Sequence, residues 1–122
     1  MGKKGDIVAL EANLRSPGGN TSDLLNLTSN ISYYKTYADV IVGNKVCPVF
    51  ESNRIAVSVN RKNEIKYIHH DHEINQLFGS HIVEHGSYPE SFRLAMGDEY
   101  YFAVFTKDKD VKEFVKFVHA RQ

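Results

Sequence analysis

The chain has 122 residues, and its 15 basic and 15 acidic side chains give a formal net charge of zero. The length fits one domain, and an apolar fraction of 42% is typical of a globular protein rather than a disordered one. The neutral balance gives no electrostatic basis for nucleic-acid binding. No apolar run approaches the roughly 18 residues that span a membrane. The single cysteine, Cys47, cannot form an internal disulfide, and no signal peptide is recognisable, so we expect a cytoplasmic protein.

The first predicted element is a strand over residues 6–14. Its polar residues Glu11 and Asn13, and Arg15 just beyond them, occupy every second position and so share one face. A carboxylate, an amide and a guanidinium in one row are able to hold a divalent cation together with an anionic phosphate or carboxylate. Pro17-Gly18-Gly19 then turns the chain. An edge strand with a solvated polar face would give the same spacing.

A helical region is predicted after this turn, with Thr21 or Ser22 as its N-cap and its end near Gly43-Asn44. Apolar side chains recur three and four residues apart through the region, which predicts one apolar stripe. Ser29-Asn30 leaves open a division into two helices. The stripe consists of Leu24, Leu27, Ile31, Tyr34, Tyr37, Ala38 and Ile41.

Beyond residue 45 the pattern changes to short segments typical of strands, interrupted by turn residues. Strands are predicted over residues 46–50, 54–59, 64–68, 81–84, 92–96 and 100–105, and helices over 72–78 and 109–121. We expect the strand at 64–68 to pair with the preceding one as a hairpin. The fold class is therefore α+β, with residues 1–45 carrying the polar strand and helices. Residues 46–122 form a small α+β extension of the same folded unit.

The pattern Glu11-x-Asn13-x-Arg15 followed by Pro-Gly-Gly resembles the last motif of the ATP-grasp ligases, the superfamily of biotin carboxylase and carbamoyl-phosphate synthetase. The similarity to uncharacterised bacterial ATP-grasp proteins continues through residues 21–26 and 33–42, and more weakly through 88–90 and 96–98. The resemblance implies that Glu11 and Asn13 ligate the magnesium that bridges the ATP phosphates. It also implies that Arg15 faces the acyl-phosphate or the acceptor substrate.

A complete ATP-grasp enzyme is much longer than this sequence. It needs an N-terminal domain, a lysine-bearing lobe, a glycine-rich phosphate loop and a second acidic metal ligand, and 122 residues leave no room for them. We therefore expect a C-terminal piece of a carboxylate–amine or related ligase that is inactive alone, with Mg²⁺–ATP as the cofactor of the complete enzyme. Its partners are expected to be the missing lobes or a second copy of the chain. The alternative is a non-catalytic binding or dimerisation module that kept the fold.

Three histidines and two acids within residues 69–73 invite a zinc-site interpretation. On a strand, however, His69 and His70 point to opposite faces. No two of His69, His70 and His72 have the four-residue spacing that a helical zinc pair requires. A solvated junction between a strand and a helix, with Asp71 as the helix N-cap, is therefore favoured.

Aromatic residues near the C-terminus predict the core of the second half. Stacking on nucleic-acid bases is disfavoured because it requires flanking positive charge. The predicted core residues are Tyr100, Tyr101, Phe102, Phe105, Phe114 and Phe117.

Overall fold

The computed structural model describes residues 17–29, 31–43 and 52–122. This part of the chain forms five helices and three strands, which confirms the α+β prediction. In chain order they are α1 (Thr21–Thr28), α2 (Tyr33–Ile41), β1 (Ile55–Arg61), α3 (Asp71–Phe78), β2 (Ile82–Ser87), α4 (Glu90–Met96), β3 (Glu99–Phe105) and α5 (Asp108–Val118). Within these ranges, no helix combines the length and hydrophobicity that crossing a membrane requires.

The three strands form one antiparallel sheet in the order β1-β3-β2. The central strand β3 is rich in aromatic residues. Its consecutive residues Tyr101 and Phe102 are both buried although they point to opposite faces of the sheet. A strand buried on both faces needs cover on both sides of the sheet. Helix α5 supplies it on one face, together with Ile74 of α3, and α1 supplies it on the other.

The main hydrophobic core lies between the sheet and helix α5. Phe114 is fully buried, and its ring centroid lies 5.4 Å from that of Phe105 on β3 and 5.2 Å from that of Phe78 on α3. The predicted core residue Phe114 is confirmed, and Val118, one helical turn further along α5, is buried beside it. The buried members of this core are Val59, Ile74, Tyr101, Ala103, Phe105, Phe114 and Val118.

The predicted helical region is divided into α1 and α2 near Ser29, so the open choice is settled in favour of two helices. The residue at the N-cap position of α1 is Asn20, not Thr21 or Ser22. Among the described residues, α2 packs chiefly on α1 rather than on the sheet. The outer part of the predicted apolar stripe is exposed for this reason: Tyr34 keeps 55% and Ile41 keeps 66% of its surface accessible to solvent.

Two strand predictions were wrong. Residues 64–68 do not form a hairpin with β1; only Tyr67 makes a bridge, and its partner is Arg121. Strand β1 extends through Arg61 and pairs with β3, because the aromatic β3 offers far more apolar surface. Residues 92–96 belong to helix α4, which follows Pro89 and has Glu90 in its first turn. A short apolar run does not by its periodicity distinguish a strand from a helix.

Several predictions fall on residues outside the described ranges. The strands over residues 6–14 and 46–50, Cys47, and the motif residues Glu11, Asn13 and Arg15 all lie there. The division at residue 45 also stays a prediction. The remaining predicted elements agree with the structure to within a few residues: β1, β2, β3, α3 and α5.

Candidate functional site

A groove with a volume of about 490 Å³ opens on the face of the sheet that α1 covers. We call it the aromatic groove, and it is lined by Asp23, Glu84, Tyr88, Phe92, Tyr100 and Phe102, with Gly19 and Asn20 at its edge. These residues come from α1, β2, α4, β3 and the connection before α4. The groove is therefore a product of the tertiary fold rather than of one sequence segment.

Three aromatic rings pack in succession along the wall of the groove. The ring centroids of Tyr88 and Tyr100 are 4.7 Å apart, and those of Tyr100 and Phe102 are 4.8 Å apart. Tyr100 and Phe102 occupy alternate positions of β3 and therefore share this face of the sheet. Phe92 adds a fourth ring that is 56% exposed.

Each carboxylate of the groove accepts a hydrogen bond from a tyrosine. The Tyr100 hydroxyl donates to Glu84 Oε1 at 2.6 Å, and the Tyr34 hydroxyl donates to Asp23 Oδ1 at 2.7 Å. The hydrogen bond to Glu84, with partial burial, raises the pKa of Tyr100 to about 12. The phenol therefore stays protonated over the physiological range and holds the Glu84 carboxylate in one orientation.

Hydrogen bonds around Tyr88 fix the start of α1 against the sheet. The Asn20 side-chain amide donates to the Tyr88 hydroxyl. The same hydroxyl donates to Asn60 Oδ1 at 3.3 Å, and the Tyr88 backbone N–H donates to the Asp98 carbonyl at 2.8 Å. Because one residue connects α1, β1 and the turn before β3 through its hydroxyl and its backbone N–H, the groove has a preformed wall.

A second polar cluster lies on the opposite face of the sheet, around Arg61. The Arg61 side chain is only 8% exposed. Its guanidinium donates to the His69 carbonyl at 2.8 Å, lies 4.0 Å from the Tyr67 ring centroid, and is 3.6 Å from Asp71 Oδ1. A carbonyl, an aromatic face and a carboxylate compensate for part of the cost of burying this charge, while the buried Nε of Arg61 has no hydrogen-bond partner among the described residues.

Tyr101 connects this cluster to β2. Its hydroxyl donates to Asp71 Oδ1, and its ring stacks on His85 with 4.1 Å between centroids. Burial first, and then the hydrogen bond to Asp71, raises the pKa of Tyr101 well above its usual range. One donor atom each from Asp71, His85 and Glu99 lies within 4.8 Å of the other two.

The predicted site residues have different outcomes. Glu11, Asn13 and Arg15 lie outside the described residues, so their roles stay predictions. The histidines of residues 69–72 do not form a joint metal site in the described part of the chain. His69 stacks on Phe117 with 3.6 Å between ring centroids.

The junction favoured by the sequence is confirmed only on its helix side, since helix α3 begins at Asp71. No strand directly precedes it in the described part of the chain, where Tyr67 makes only an isolated bridge. The residue at its N-cap position is His70 rather than Asp71. The His70 backbone N–H donates to Glu73 Oε2 at 2.8 Å, and this bond is the main reason why the pKa of Glu73 is lowered. A negative charge in the first turn of a helix is favourable.

Sequence reasoning assigned Tyr100 and Phe102 to the core and did not identify the aromatic groove. The available signal was the alternation along β3, which places Tyr100 and Phe102 on the face opposite Tyr101. No local pattern indicated that Asp23 and Tyr88 would join them.

No protein-family model matches this chain, and neither a curated protein nor a solved structure shows significant similarity to it. Its function therefore has to be inferred from its residues and their geometry.

Proposed function

We propose that this chain is a ligand-binding module whose aromatic groove takes an organic cation, an ammonium group carried on a flat apolar body. One observation carries the proposal: three aromatic rings that pack in succession share the groove with two carboxylates. Among the described residues that line the groove, none is lysine, arginine or histidine.

The chemistry of the walls favours positive charge. Aromatic faces carry partial negative charge and attract a cation by about 0.5–2 kcal/mol, depending on how far it is desolvated. The Glu84 carboxylate adds a full negative charge, which the Tyr100 hydroxyl orients. A volume of about 490 Å³ is within the range of small-molecule sites. An anion would be repelled by both carboxylates.

A pair of nearly isosteric probes tests the charge requirement. We expect 2-phenylethylamine, protonated at pH 7, to bind about tenfold more tightly than neutral 2-phenylethanol, a difference of about 1.4 kcal/mol. Because Glu84 supplies much of this preference, Glu84→Gln is expected to remove most of it. Calorimetric titration of the purified chain with each probe measures both effects.

Glu113→Gln is the matched control, since Glu113 is an exposed acid on α5, at the other face of the sheet. It should leave both affinities unchanged. Equal affinity for the amine and the alcohol, or equal losses in the Glu84 and Glu113 variants, would contradict a cation-selective groove. Circular dichroism of each variant establishes that the fold is retained.

A second proposal places this module at the C-terminal end of an ATP-dependent carboxylate–amine ligase. It rests on the ATP-grasp resemblance at Glu11, Asn13 and Arg15. The observation that supports it is that Gly19, which lines the aromatic groove, follows Arg15 by four residues in the sequence. An amine held there would be close along the chain to the proposed acyl-phosphate contact.

In this reaction class, a substrate carboxylate oxygen attacks the γ-phosphorus of ATP, and ADP leaves. The free-base amine then attacks the acyl carbon, phosphate leaves, and the amine proton is released as the amide forms. Carboxylate and amide oxygens suit magnesium, so Glu11 and Asn13 are a compatible pair of ligands. Arg15 would hold the acyl-phosphate by charge-assisted hydrogen bonds. Orienting charges toward the transferred group is the main contribution expected of such residues.

Calorimetric titration with ATP in excess magnesium tests the second proposal. Because magnesium prefers more than one carboxylate together with phosphate oxygens, we expect weak, magnesium-dependent binding to this chain. Asn13→Ala should abolish it, whereas Asn63→Ala, a change in the exposed turn after β1, should leave it intact. Binding that survives Asn13→Ala, or no binding by the unmodified chain, would exclude a nucleotide site at this motif.

A further inference from the structure

We propose a separate site for a first-row divalent transition metal such as Zn²⁺, formed by Asp71, His85 and Glu99. It lies on the face of the sheet opposite the aromatic groove and does not depend on either function proposed above. We call these three residues the metal triad.

The sheet and helix α3 bring the metal triad together. Glu99 on β3 pairs with Ser87 on β2, two residues beyond His85, so Glu99 and His85 are diagonal neighbours on one face. Asp71 is the first residue of α3. The donor atoms lie within 4.8 Å of one another. Bonds of about 2.0–2.2 Å to one metal ion require donor atoms roughly 3.4 Å apart. Glu99 is the member that can move toward the other two, because its carboxylate makes no hydrogen bond among the described residues.

Tyr101 supports two members of the metal triad. Its hydroxyl donates to Asp71, and its fully buried ring stacks against the imidazole of His85. Groups that orient metal ligands through hydrogen bonds and packing raise the affinity of a site. The same buried residue therefore restricts both a carboxylate and an imidazole.

The charge balance leaves the metal triad short of positive charge. Its two carboxylates face one guanidinium, that of Arg61, which lies 3.6 Å from Asp71 Oδ1. Glu99 is partly buried and, within the described residues, has neither a hydrogen bond nor an ion pair on its carboxylate. A dication between the three donors would compensate for the negative charge that Arg61 leaves.

The donor set indicates which ions fit. Neutral imidazole with two carboxylates suits zinc and its first-row neighbours, whereas magnesium prefers oxygen ligands throughout. Three protein ligands leave at least one coordination position for water.

Titration of the chelator-treated full chain with Zn²⁺ at pH 7 tests the proposal. We expect one equivalent to bind, Co²⁺ to give a visible absorption band on binding, and a tenfold excess of Mg²⁺ not to compete. His85→Gln and Glu99→Gln should each weaken Zn²⁺ binding at least about tenfold, since even supporting groups of metal sites contribute 10–100-fold.

His72→Gln is the control, because His72 belongs to the neighbouring histidine-rich junction and not to the metal triad. It should bind Zn²⁺ as the unmodified chain does. Substoichiometric binding by the unmodified chain, binding lost in His72→Gln, or binding retained in both triad variants would overturn the proposal. Two triad variants on different strands keep the test valid if one of them fails to fold.

Discussion

Replacing Phe114 with alanine is expected to lower the free energy of unfolding by about 3–5 kcal/mol. Phe114 is fully buried at the centre of the core, where its ring contacts those of Phe78 and Phe105. Removing the ring loses the free energy gained by burying it, and it leaves a cavity that α5, β3 and α3 cannot all close. For a domain whose total stability is about 5–15 kcal/mol, this loss is large.

Urea unfolding followed by circular dichroism measures the effect as a shift in midpoint at constant slope. Leu94→Ala is the comparison, because Leu94 on α4 is 92% exposed and should change stability by no more than about 0.5 kcal/mol. A loss below about 1 kcal/mol for Phe114→Ala would mean that α5 does not form the core with the sheet.

Gly97→Ala is expected to cost about 3 kcal/mol or more, for two additive reasons. Gly97 has φ of 95° and ψ of −176°, a region that essentially only glycine occupies, and strain there costs about 1–3 kcal/mol. A Cβ at this position would also lie 2.8 Å from the Arg61 carbonyl oxygen. That oxygen accepts the backbone hydrogen bond of Asp98, so it cannot move without breaking the contact between β1 and the turn.

Two other glycines separate these causes. Gly43 has φ of 76° but open space around its Cβ position, so Gly43→Ala should cost only about 1–2 kcal/mol. Gly18 has neither feature, and its alanine variant should be within about 0.5 kcal/mol of the unmodified protein. Thermal and urea unfolding of the three variants measure the series. Equal losses for Gly43→Ala and Gly97→Ala would show that the Arg61 contact contributes nothing.

The elements with regular local patterns were predictable from the sequence. Helix α5 has apolar residues spaced three and four apart, and β3 is an aromatic run bounded by Gly97-Asp98. The pairing of β1 with β3 was not predictable, because long stretches of chain separate them and periodicity carries no information about partners. Helix α4 was mistaken for a strand because seven residues are too few for a 3.6-residue period to stand out.

Neither candidate site could be assembled from the sequence for the same reason. The histidines of residues 69–72 suggested a metal site because they are close together in the sequence. Residues that are neighbours in the chain, however, often point their side chains in different directions. Asp71, His85 and Glu99 meet only because α3 begins beside the ends of two strands. The motif of Glu11, Asn13 and Arg15 is the opposite case, because only the sequence supports a site there: these residues lie outside the described ranges.

Because successive residues of β3 serve opposite faces, the strand allows no slip in register. Tyr100 contributes to the aromatic groove, whereas Tyr101 supports Asp71 and His85 on the other side. A slip of β3 by one residue against β1 and β2 would move every β3 side chain to the opposite face. The core, the groove and the metal triad would then be lost together, so the register of this one strand constrains the molecule more tightly than any one of its side chains.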